Sequence, residues 1–197
     1  MSKSAYRWSA RSLVLVAAAL ATACADGAPV APVGAATMRR EADVAETNEG
    51  NRLPDLAGCE KLAAPEGSVL VLRAFASGVQ IYRWNGTSWG SSVPSATLYA
   101  DAEGNGVIGT HFGGPTWQSN SGGRVVGAVA ERCPVDAASV PWLKLTAVAD
   151  GPGIFEKVTL IQRLNTVGGV APSVAGSLIG EEARVPYTAD YLFYRAP

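Results

Sequence analysis

Beyond Gly67 the chain is a succession of short β-branched and apolar runs, each ended by Gly, Asn, Asp, Ser or Pro, with no convincing amphipathic helix between them. That pattern narrows the fold more than any other feature. Strands must pair to satisfy their backbone N–H and C=O groups, and runs this close together pair antiparallel through short turns. The runs are Val69 to Phe75, Gln80 to Trp84, Thr87 to Trp89, Ala96 to Ala100, Val107 to Phe112, Arg124 to Arg132, Trp142 to Ala149, Val158 to Leu164 and Ala189 to Tyr194. Asn85-Gly86 is a strong hairpin signal, because both residues tolerate the positive φ of a tight turn. A two-residue turn there sets Trp84 opposite Thr87 and Tyr82 opposite Trp89, and alternation puts Tyr82, Trp84 and Trp89 on one face. The expected fold is all-β: a single antiparallel β-sandwich or barrel-like domain.

Residues 1–23 differ in kind. Lys3, Arg7 and Arg11 precede the apolar run Leu13 to Leu20, and Ala21-Thr22-Ala23 offers small residues for cleavage, which are the three parts of a secretory signal peptide. The run falls short of the roughly 20 residues that span a bilayer, so a permanent transmembrane helix is not expected. The stretch Leu20-Ala21-Thr22-Ala23-Cys24 resembles a bacterial lipobox, with its leucine one place further from the cysteine than usual. Lipidation of Cys24 is therefore expected, giving a membrane partner through the lipid anchor. The alternative is ordinary cleavage after Ala23 with Cys24 free. Ala25, rather than Asp, after the cysteine points to an outer-membrane lipoprotein, with a periplasmic or secreted protein as the other reading. Residues 24–52 hold no aromatic side chain and cannot bury enough apolar surface to offset their chain entropy, so they read as a flexible linker. The β-rich domain is expected over residues 53–197.

Charge excludes one class of partner. Loss of the signal takes three of the 16 Lys+Arg residues and none of the 17 Asp+Glu, leaving 13 against 17 and a formal charge of −4. A mildly acidic chain with no basic cluster does not attract phosphate backbones, so nucleic acid is not an expected partner.

Four ordered stretches carry a resemblance. They are Ile108-Gly109-Thr110-His111-Phe112-Gly113-Gly114-Pro115-Thr116-Trp117, then Val140-Pro141-Trp142-Leu143, then Ile161-Gln162-Arg163-Leu164-Asn165-Thr166-Val167-Gly168-Gly169-Val170-Ala171-Pro172, and last Val185-Pro186-Tyr187-Thr188-Ala189-Asp190-Tyr191-Leu192-Phe193-Tyr194. Together they resemble the exported bacterial and fungal family called domain of unknown function 3455, over roughly Pro65 to Tyr194. The resemblance implies no particular activity. It does imply a cysteine just after the first aromatic strand and another after the Gly-Gly-x-Ala-Pro segment, where this chain has Trp84 and about Ser177. Cys59 and Cys133 remain as an even pair once Cys24 is set aside. In an oxidising compartment they form a disulfide, or else stay as two separate thiols.

His111 is the only histidine, which excludes an imidazole-rich metal site. No G-x-G-x-x-G opens a helix after a strand, so no cofactor is expected. A Ser-His-Asp arrangement needs one histidine, and Asp190 is available, but no G-x-S-x-G elbow occurs. The structural alternative is a His111 hydrogen-bonded inside a loop framed by Gly113, Gly114 and Pro115. Trp117 and Trp142 lie near prolines and are candidate pocket floors or core. Gln162, Arg163, Asn165 and Thr166 form a dense polar group at a strand end, either a turn-stabilising network or the rim of a small pocket. Alternation gives Gln162 the face of Val158 and Leu160, with Arg163 and Asn165 on the other. Asp190, an acid within a strand, suggests an ion pair with Arg163.

The ligand-binding candidates are thus His111, Trp117, Gln162, Arg163 and Asn165. The leading functional expectation is an envelope-anchored, non-catalytic binding or structural lipoprotein. One alternative is an enzyme of uncommon mechanism using His111 with Asp190 or Arg163. The other is a carbohydrate-binding module stacking sugars on Tyr82, Trp84 and Trp89. These residues suit either a small molecule or a glycan as partner.

Overall fold

A computed structural model describes residues 53–197; Cys24, the expected signal and the whole of the expected linker lie outside the described residues. These form eight strands: β1 (Val69–Arg83), β2 (Val93–Tyr99), β3 (Val107–Phe112), β4 (Thr116–Ser119), β5 (Arg124–Cys133), β6 (Trp142–Asp150), β7 (Leu160–Gly168) and β8 (Glu182–Arg195). Each pairs antiparallel with its successor, and β8 pairs with β1, so the sheet closes into a barrel. Closure removes both sheet edges. Of the two expected architectures, the barrel is the one adopted.

Several boundaries differ from expectation. Val69–Phe75 and Gln80–Trp84 are one continuous strand, because Ser77 and Gly78 pair on both sides, with Thr97 and Ala96 of β2 and with Thr188 and Tyr187 of β8. Gly78 is needed there: a Cβ would lie 2.2 Å from the Ser95 carbonyl oxygen. The Asn85-Gly86 turn is longer than two residues. Trp84 stands opposite Trp89, and the Asn85 side chain accepts from the backbone N–H groups of Thr87 (2.9 Å) and Ser88 (2.8 Å), closing a four-residue loop. β4 was not expected, since Gly113-Gly114-Pro115 read as loop. It is a short strand folded back on β3 with His111 opposite Trp117. β8 begins seven residues before the expected Ala189, and β7 runs past Leu164 through a bulge at which Asn165 takes φ 49°.

Alternation sorts the side chains. Inside lie Ala74 and Ala76 from β1, facing the large Trp117, Tyr191 and Phe193, so small residues on one wall admit large ones from the other. Gly127 works the same way, as the Trp117 ring occupies the space its side chain would take. Val158 faces this interior too, not the outer face shared by Leu160 and Gln162.

A second apolar cluster sits outside the barrel. Leu56, Cys59 and Leu62, on a lead-in segment with a 3-10 turn at Glu60–Leu62, cover Trp142, Leu164, Leu192 and Tyr194. Trp142 therefore belongs to this outer core. Cys59 and Cys133 are joined across this cluster with Cα atoms 6.1 Å apart. A bridge closing so long a loop stabilises by about 4 kcal/mol in the chain-entropy account. Gln162 completes the fastening: it donates to the Leu62 carbonyl (2.7 Å) and accepts from the Tyr194 hydroxyl (2.7 Å).

Candidate functional site

The two ends of the barrel are built differently. At one, the connection between β6 and β7 folds Phe155 inward until it is fully buried against Phe193. The other end holds a cavity of about 290 Å³, framed by the β1–β2, β3–β4 and β5–β6 connections. Its walls come from separate strands: Gln80 and Tyr82 from β1, His111 from β3, Trp117 from β4, Arg163 from β7 and Tyr191 from β8. Alternation aims all six inward.

His111 is 2% exposed. Its ring stacks on Trp117 at 4.3 Å and 9°, and its Nδ1 lies 2.9 Å from the Thr116 carbonyl oxygen. A carbonyl only accepts, so Nδ1 carries the proton and Nε2 is left bare. Burial lowers the His111 pKa to about 3; the Thr116 carbonyl opposes this and the Arg163 charge adds to it. The ring is neutral at ordinary pH.

Arg163 is held by its inner edge. Its Nε (3.2 Å) and Nη2 (2.7 Å) both donate to the Pro141 carbonyl oxygen. It has no carboxylate partner among the described residues, and no acidic residue lines the cavity. Tyr82 donates its hydroxyl to the Gly169 carbonyl at 2.6 Å. By contrast Gln80 Nε2, Trp117 Nε1 and the hydroxyls of Tyr187 and Tyr191 are buried with no hydrogen-bond partner among the described residues. The Tyr187 hydroxyl and the Arg163 guanidinium lie near enough to affect Tyr191 ionisation, but no bond of good geometry forms. Burial raises both tyrosine pKa values. Three of the four, on Gln80, Trp117 and Tyr191, line the cavity, and because buried polar groups are normally paired they call for an explanation.

The expected site residues separate into two sets. His111, Trp117 and Arg163 meet in the cavity. Gln162 points outward, bound to Leu62 and Tyr194, and is structural. Asn165 does not share a face with Arg163, because the bulge after Leu164 turns it outward, where its Nδ2 donates to Asp190 at 2.8 Å. The expected Arg163–Asp190 pair is also absent: Asp190 pairs with Arg73 at 2.7 Å on the outer face. The barrel wall thus separates Asp190 from His111, which rules out a His111–Asp190 relay. A larger outer groove of about 490 Å³ contains Asp190, Asn165 and Asp101. Asp190 is bound as above and Asp101 by Asn105, and none of the buried unpartnered side-chain atoms belongs to its lining.

The aromatic trio forms no flat platform. Tyr82 is buried in the barrel, and Trp84 meets Trp89 edge-on at 63°. Trp89 donates to the Val174 carbonyl, and the space beside Gly176 is filled by Trp84. Trp84, one of the two positions where relatives are expected to have cysteines, thus packs against Gly176, the neighbour of the other, Ser177.

Gln80, Tyr187 and Tyr191 were not singled out from the sequence. A signal for them exists in β1, where the inward parity Ala74, Ala76, Gly78 turns polar at Gln80, and in the four-residue spacing of Tyr187 and Tyr191. All four stretches that carry the resemblance reach the cavity, through His111 and Trp117, Pro141 and Leu143, Arg163, and Tyr191. No curated protein and no solved structure matches the chain. The match of a family model to residues 65–195, two thirds of the chain, shows that this protein belongs to the family described as Protein of unknown function (DUF3455).

Proposed function

We propose that the domain is a non-catalytic binding module that takes a small molecule into the open end of its barrel, and that a lipid on Cys24 holds it at the cell envelope. The observation that carries the reading is the set of buried, unpartnered donors around the cavity of about 290 Å³. Binding pockets are typically concave and mostly apolar with a few convergent polar groups, and this volume sits at their small end. The anchor rests on the lipobox-like stretch alone.

The catalytic alternative draws support from the cavity's joining of His111 to Arg163. Against it, a ring whose pKa is held at about 3 is a weak proton acceptor, and Asp190, the acid expected to orient it, lies across the wall. The glycan alternative has less, because its aromatic face is partly covered. The test is a thermal-shift screen of metabolites and oligosaccharides on the mature protein, followed by recovery of each hit. Stabilisation by a small molecule recovered unchanged supports binding; conversion to product transfers the reading to catalysis, and hits confined to oligosaccharides transfer it to glycans.

A further inference from the structure

We infer that the ligand of the barrel cavity is a small organic carboxylate, seated on the free end of the Arg163 guanidinium; this rests on the binding reading above. A guanidinium offers two forked edges to an anion. In Arg163 the edge made by Nε and Nη2 is spent on one carbonyl, that of Pro141. What remains is the terminal edge, an outer N–H on each Nη, spaced to meet both oxygens of one carboxylate.

The rest of the lining matches the same partner. Trp117 Nε1 is donor-only, Gln80 Nε2 donates, and the Tyr191 hydroxyl is free to donate; each is buried without a partner among the described residues. An acceptor-rich ligand satisfies them, whereas a ligand amine would meet donors and a positive charge. Arg132 stands at the rim, and no Asp or Glu lines the cavity. A positive hollow in an acidic chain is an arrangement that excludes cations and admits anions. The remaining wall, including Val93, Pro94, Leu143 and Leu145, is apolar and suits a hydrocarbon body. The volume limits that body to roughly fifteen non-hydrogen atoms in all, which excludes long acyl chains and porphyrins.

The test uses the mature protein and a matched probe set: benzoate, phenylacetate and cinnamate, their primary amides, the corresponding amines, and inorganic phosphate and sulfate. Titration calorimetry and tryptophan fluorescence read the binding. The carboxylates are expected to bind at least tenfold tighter than their amides, with the amines and the inorganic anions weaker still. Arg163→Gln should abolish the preference for carboxylate over amide, and Arg163→Lys should restore part of it; unfolding curves identify any variant that fails to fold. Should Arg163→Gln not fold, the wild-type ratio of carboxylate to amide decides alone. Equal binding of acid and amide, or a preference that survives Arg163→Gln, overturns the carboxylate inference and leaves the cavity as a site for neutral ligands. Phosphate or sulfate binding as tightly as benzoate overturns the organic-acid assignment. If no probe of any charge binds, both the inference and the binding reading fail.

Discussion

The same eight strands build both ends of the barrel, yet one end is packed and the other is hollow. Along β8 the inward residues run from Phe193 through Tyr191 to Tyr187; along β7 they pass from Ile161 to Arg163; along β1 from Ala74 and Ala76 to Gln80 and Tyr82. Each wall passes from apolar to polar residues toward the open end. At the apolar end the connection between β6 and β7 turns inward and buries Phe155 completely. At the polar end the connections line a mouth and leave donors unpaired. The contrast teaches that stability and binding are separated along the barrel axis: one end contributes packing, the other sacrifices hydrogen bonds that an intramolecular partner could have made.

The largest test of that division is Phe155→Ala. Its ring is fully buried at the packed end, and truncation of such a side chain typically costs 3–5 kcal/mol, or about that range here. Urea unfolding with unchanged m-value measures it. A cost under about 1 kcal/mol would mean that the end is not the stabilising one.

Acid comes next. His111 is neutral in the folded barrel down to about pH 3, from an ordinary value of 6.5. Between those values the unfolded chain binds a proton that the folded one refuses, so the contribution is full above pH 6.5 and is lost as pH falls. The slope approaches about 1.4 kcal/mol per pH unit within that window. Stability measured at pH 7 and pH 4.5 should fall more steeply in the wild type than in His111→Gln. Parallel profiles would place His111 in a wetter setting than its burial implies.

The smallest expected change sharpens the comparison most. Tyr191→Phe removes a buried hydroxyl with no partner among the described residues, so ligand-free stability should stay level or rise, by less than about 1 kcal/mol. The same variant should weaken carboxylate binding. A loss above 2 kcal/mol without ligand would show that the open end also holds the fold together.

Much of the barrel was legible because strands and turns are local. Val107–Phe112 was expected at its observed bounds, since a β-branched run between glycine-rich turns admits little else. Thr116–Ser119 was not, because two glycines and a proline beside it outweigh four residues of strand signal. Three residues of the cavity lining, His111, Trp117 and Arg163, stand out in the sequence as single polar or aromatic residues in short motifs. Asn165 was given the wrong face because a bulge after Leu164 shifts parity by a residue, and a one-residue shift moves a side chain across the wall; Asp190 faces outward by plain alternation with Tyr191 and pairs with Arg73.

By itself the sequence determined an all-β chain of short antiparallel strands, since alternation and turn preference act between near neighbours. It also determined the chemistry available, with one histidine and, over residues 24–197, ten arginines to three lysines. Tertiary structure alone decided that the sheet closes, that His111, Arg163 and Tyr191 share one cavity while Asp190 does not, and that Phe155 plugs only one end. Those outcomes depend on contacts between strands far apart in the chain, where which parity faces inward is set by closure and not by any local preference.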